Sequence, residues 1–170
     1  PPEFVTIILI SSNENLILNT IKSRCMKLKF QNIPNEDLRK FALNKLQYDE
    51  ISDNMLMSFG GSIGKAEKLK ENSDKYKKIE EFTNFLIKKN KAEIILAGNI
   101  LYDKENIYDI LDYLIVCLYS NGKQNKTYLN CIEIVNECIA RLKVNSNFDM
   151  SIDSLIIKMW EELNEKSYRS

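Results

Sequence analysis

Apolar residues recur at helical spacing along most of this chain, and that period constrains the fold more than any other feature. After the segment "QNIPN" they fall at Leu38, Phe41, Ala42 and Leu46, which share one face of a helix with about 3.6 residues per turn. Helices with one apolar face must bury it against other helices. We therefore predict a mainly α fold.

Helix-capping residues and a glycine pair divide residues 31–73 into a unit of three short helices. The predicted capping residues are Asn35, Ser52 and Ser62, and the helix-ending glycines are Gly60 and Gly61. The predicted helices are 36–47, 53–59 and 63–71. The stretch "ENSDK", residues 71–75, predicts a linker.

Residues 74–170 predict a second helical domain of five helices, separated by turn-rich segments. The predicted helices are 75–89, 92–102, 105–120, 127–143 and 151–166. Wide apolar stripes on the third and fourth indicate helices that pack on more than one side. Lysine-rich stretches near the start of this domain are interrupted by Glu80, Glu81 and Glu93, a pattern typical of solvated helix faces.

The first 30 residues follow a different pattern. "FVTIILISSN", residues 4–13, predicts a strand buried on both faces, and "CMKLKF", residues 25–30, alternates as a half-exposed strand. Two strands are only a remnant of an α/β sheet, so we expect residues 1–30 to be poorly packed alone or covered by another copy. The chain begins with Pro1 rather than Met, and we expect a longer protein upstream.

Composition excludes several classes of function. The 24 basic and 24 acidic residues balance, so no whole-molecule cationic field is available for nucleic acid or lipid. No apolar run approaches the roughly 20 residues of a membrane span. With no histidine and no C-x-x-C pair among four cysteines, no metal site is expected, and buried free thiols in a reducing, cytoplasmic compartment are favoured.

The stretch "GGSIGKA", residues 60–66, is superficially similar to a phosphate-binding loop. It lacks the first glycine, where Phe59 stands, and the Mg²⁺-binding hydroxyl, where Ala66 stands. A predicted helix rather than a strand precedes it. We therefore expect a glycine turn between helices, no self-sufficient nucleotide-hydrolysing site and no cofactor in this chain.

The strand "TIILISSN", the segment "ENLILNTIKSRC" and the helices around "GGSIGKA" together resemble the end of an AAA+ core and its lid. More narrowly, they are similar to the clamp-loader subunits of bacterial DNA polymerase III, and to the delta-prime family above the others. The resemblance implies a core remnant at 1–30, a three-helix lid at 31–73 and an oligomerising helical collar at 74–170.

The resemblance also implies roles for particular residues. Asn13, or less favourably Ser12, takes the place of a residue that senses the terminal phosphate. Ser23, Arg24 and Cys25 match the family's Ser-Arg-Cys motif, whose arginine enters the ATP site of a neighbouring subunit. Ser23 and Cys25 would hold the backbone there, with Cys25 packed inward.

Gly61, Gly64 and Lys65 match the lid motif, but hydrolysing subunits have an arginine where this chain has Gly64. That departure favours a delta-prime-like subunit, part of the polymerase III holoenzyme, that works with delta and gamma/tau subunits. Through that complex it would act on the sliding clamp and primed DNA, with no membrane partner. Two alternatives stay open, a gamma/tau-type ATPase fragment and a helical adaptor unrelated to replication.

Overall fold

The chain divides into two units, Pro1–Gln31 and Asn32–Ser170. The computed structural model describes residues 4–11, 13–86 and 91–165. Its described part is mainly helical, which confirms the predicted fold class.

In the described part of the first unit, the helical elements are a 3-10 helix, Glu14–Leu16, and the short helix α1, Asn19–Lys22. The predicted strands at 4–13 and 25–30 are wrong for the described residues, which form neither strand nor bridge. A strand is stabilised by hydrogen bonds to a neighbouring strand, and these residues have none to pair with. None of the described side chains up to residue 31 is buried.

The second unit begins with three short helices, α2 (Asn35–Asn44), α3 (Asp53–Phe59) and α4 (Ile63–Glu71). We call them the three-helix segment. Ser52 and Ser62 cap α3 and α4 as predicted, each accepting a hydrogen bond from a backbone N–H three residues on. The predicted cap Asn35 is wrong, because Pro34 takes the N-cap position and its carbonyl accepts from Leu38 N at 3.0 Å.

The remaining helices form what we call the bundle. They are α5 (Ser73–Phe85), α6 (Lys91–Ala97), α7 (Ile107–Gly122), α8 (Thr127–Lys143) and α9 (Phe148–Glu165), with a 3-10 helix (Gly98–Tyr102) between α6 and α7. The predicted linker at 71–75 is wrong. A single residue, Asn72, separates the end of α4 from the start of α5. Its side-chain amide donates a hydrogen bond to the Lys68 carbonyl of α4 at 3.2 Å.

Helix α7 lies at the centre of the second unit, in contact with α3, α5 and α8, while α9 covers α6 and α8. Its buried side chains include Leu111, Tyr113 and Leu114, all fully inaccessible. Because α3 belongs to the three-helix segment and α5 to the bundle, both parts share one core. Among the described helices, none combines the length and apolarity that crossing a bilayer requires.

Candidate functional site

Arg24 lies on the surface at the end of α1. Its backbone N–H donates to the Ile21 carbonyl at 3.0 Å, and Ser23 closes the same turn by donating its hydroxyl to the Thr20 carbonyl at 3.2 Å. Arg24 therefore closes the last turn of α1 through its backbone while its side chain stays exposed.

Among the residues that the structure describes, the guanidinium of Arg24 donates one hydrogen bond, from Nη1 to the Thr20 carbonyl at 3.3 Å. Within the described part of the chain, no carboxylate forms an ion pair with it. Most N–H donors of the guanidinium fork stay available to an anion, and the group remains charged at any physiological pH.

The surroundings of Arg24 in the sequence are cationic. Residues 4–31 carry four cations, Lys22, Arg24, Lys27 and Lys29, against the single carboxylate Glu14, so their net charge is +3. Lys27 pairs with Glu14 and, by hydrogen bond and charge, lowers the pKa of that carboxyl. Lys22 and Lys29 lower it further, which indicates that their fields overlap in this unit.

Asn13 uses its side chain within its own turn. Oδ1 accepts from Asn15 N at 3.0 Å, and the Asn13 N–H donates to Ser11 Oγ at 3.2 Å, so Asn13 caps the 3-10 helix. Ser12 lies outside the described residues. A phosphate-sensing role for either residue stays a prediction.

Cys25 is exposed, so the expectation that it packs inward is wrong for this chain. The other cysteines, Cys117, Cys131 and Cys138, are buried thiols, as predicted. Burial, with a smaller contribution from Glu80, raises the pKa of the Cys117 thiol to about 12.

Gly61 lies in the turn between α3 and α4, and Gly64 and Lys65 lie in the first turn of α4. Gly61 has φ +79° and accepts a hydrogen bond from Ile33 N at 3.1 Å, and an added Cβ would meet the Asn32 Cβ at 2.4 Å. Only glycine fits there without strain. Gly64 and Lys65 are exposed in the first turn of α4, where a Cβ on Gly64 would meet only Ser62 Oγ at 3.9 Å.

Sequence reasoning missed a polar cluster around Glu80, which it assigned to a solvated helix face. Glu80 accepts hydrogen bonds from Tyr113, at 2.6 Å, and from Ser52. An aromatic hydroxyl on the apolar stripe of α7 was the available signal, because a buried Tyr O–H usually needs a partner. In the described ranges, no cluster of acidic and cysteine residues has the composition of a metal site.

Comparison with known families gives one match. A family model described as "DNA polymerase III, delta subunit" matches residues 1–34, which include Ser23, Arg24 and Cys25. No curated protein and no solved structure matches the chain. The match supports the predicted relationship to DNA polymerase III over the segment that presents Arg24, and it does not distinguish one subunit from another.

Proposed function

We propose that this chain is a clamp-loader subunit of bacterial DNA polymerase III, of the delta-prime type, that supplies Arg24 to the ATP site of a neighbouring subunit. The observation that carries the proposal is the family match over residues 1–34, together with the exposed Arg24 guanidinium within them, which no described carboxylate neutralises.

The chemistry of phosphoryl transfer explains why an arginine would serve. Negative charge spreads over the oxygens of the transferred phosphoryl group, and a planar cationic fork can bond two of them at once. An arginine supplied from outside the site accelerates related NTPases by as much as ~10³ to 10⁵. Arg24 would act in trans, as the resemblance of Ser23, Arg24 and Cys25 to the clamp-loader Ser-Arg-Cys motif implies. Residues 60–66 join two helices and lack the residues of a working phosphate loop.

Gly64 supports a delta-prime-like subunit rather than a hydrolysing one. The space around it would admit a side chain, since an added Cβ meets nothing closer than 3.9 Å. Packing therefore does not require a glycine at position 64, and the arginine of hydrolysing subunits is not replaced here for lack of space. Lys65 would not replace it, because adjacent helical residues point about 100° apart.

The bundle α5–α9 would hold the subunit in its complex with delta and gamma/tau subunits. The assembled cytoplasmic loader would then open a sliding clamp and place it on primed DNA. Contact of this chain alone with DNA should be weak, because its 24 cations are offset by 24 carboxylates.

Replacing Arg24 in the full-length protein tests this function. Arg24→Ala should reduce ATP turnover by the reconstituted loader, in the presence of clamp and primed DNA, toward the ~10³-fold loss seen when such arginines are removed. The protein should still co-elute with its partner subunits. Lys22→Ala, which removes a nearby cation outside the Ser-Arg-Cys motif, is the matched control and should turn over ATP normally. Unchanged turnover with Arg24→Ala in an assembled complex would favour a helical adaptor instead.

A further inference from the structure

One carboxylate oxygen joins the three-helix segment to the bundle. Oε1 of Glu80, on α5, accepts a hydrogen bond from the Tyr113 hydroxyl on α7 at 2.6 Å and another from the Ser52 hydroxyl at 3.2 Å. Ser52 Oγ also accepts from Met55 N at 3.2 Å, which caps α3. The start of α3 is therefore tied through Glu80 to two helices of the bundle.

The Tyr113 hydroxyl remains a hydrogen-bond donor to this oxygen. Tyr113 is fully buried, and its ring packs edge-on against Tyr76 with centroids 4.7 Å apart. Burial, and then its bond to Glu80, raise the pKa of Tyr113 far above its usual value, so the phenol stays a donor. Among the described residues, every buried side-chain nitrogen and oxygen has a hydrogen-bond partner.

The other contacts of this junction specify an angle poorly. From α3 they are mainly the buried apolar side chains Met55, Leu56 and Phe59, and apolar burial is non-directional. Lys68 and Asp109 pair across the junction, but both are partly exposed, and such pairs are weak. A long contact also joins Asn54 Nδ2 to Cys117 Sγ at 4.0 Å. The hydrogen bond from Ser52 to Glu80, at 3.2 Å, is the closer directional contact across the partly buried junction, and Tyr113 bonds the same Glu80 oxygen from within the bundle.

We propose that Glu80 is a latch that holds the three-helix segment at one angle to the bundle. With the latch removed, both parts keep their helices and apolar contacts, and the segment samples a second orientation. Buried polar groups act in this way in other proteins, where they select one arrangement at little gain in stability. The proposal does not depend on the function proposed for Arg24.

The test measures the angle directly. Spin labels are placed on exposed positions of α2 and α8 through Lys40→Cys and Asn136→Cys, in the full chain carrying Cys25→Ser. Pulsed dipolar spectroscopy should give one distance. The paired change Glu80→Met with Tyr113→Phe removes the acceptor and its fully buried donor together. The Ser52 hydroxyl loses this acceptor but is only partly buried and still accepts from Met55 N. It should add a second distance population with unchanged helical circular dichroism.

Two further variants keep the test decisive. Glu81→Met, the same change one residue along α5 at an exposed position, should leave the single distance unchanged. Ser52→Ala alone removes the hydroxyl that bonds Glu80 across the junction, and it should also produce the second population. Because it removes the cap of α3 as well, it is compared at unchanged helical circular dichroism. If the paired variant fails to fold, Ser52→Ala decides by itself. A single unaltered distance in Ser52→Ala and in any folded paired variant would overturn the latch.

Discussion

Apolar side chains are largely exposed in the first unit of this chain and largely buried in the second. In the first, Ile10 is 94% exposed and Phe30 is 90% exposed, whereas in the second Phe59 and Leu114 are fully inaccessible. Residue type does not explain the difference, because both units are rich in leucine, isoleucine and phenylalanine. The difference is explained by the number of packing partners within each unit, since every helix of the second unit packs against other helices that cover its apolar face. The first unit is thus suited to making its contacts with something else.

Truncating a phenylalanine side chain should change the free energy of unfolding far more in the second unit than in the first. Phe59→Ala removes a fully buried ring and should lower the free energy of unfolding by about 3–5 kcal/mol. Phe30→Ala, the same change at an exposed site, should alter it by less than about 0.5 kcal/mol. Urea denaturation of the isolated chain followed by circular dichroism measures both. A large loss from Phe30→Ala would show that residues 4–31 do contribute to the stable core.

Alanine substitutions at two glycines three residues apart should change the free energy of unfolding by smaller amounts than the core truncation, and in opposite directions. Gly61→Ala places a side chain at φ +79° and 2.4 Å from the Asn32 Cβ, which should cost on the order of 2 kcal/mol. Gly64→Ala enters open space in α4 and should stabilise the protein by up to about 1 kcal/mol. Melting temperatures provide the measurement. Equal effects would mean that the turn after α3 is not held as described.

The helices were predictable from sequence because their signals are local. Helix α8 has the predicted bounds 127–143, and Ser52 and Ser62 cap the helices that their positions indicate. Spacing, caps and glycines all act within a few residues of one another. Asn35 failed as a cap because the proline before it takes that place.

The strands and the Glu80 cluster were not predictable, because both depend on distant residues. A β-branched run such as 4–11 forms a strand only where another strand is available. Glu80 stands in a charged stretch, and its role requires Tyr113, 33 residues away, and Ser52, 28 residues away. For the candidate site, the sequence resemblance singled out Arg24, which is exposed, but it predicted that Cys25 packs inward, and Cys25 is exposed as well.

Residues 18–30 are proposed to contact a neighbouring subunit through Arg24. Amide hydrogen exchange of those residues tests this proposal most directly. In the isolated chain their amides should exchange rapidly, because the described side chains there are not buried. In the reconstituted loader with a non-hydrolysable ATP analogue, amides around Arg24 should become protected while those of α8 change little. Exchange around Arg24 that stays equally fast in the complex would contradict the account.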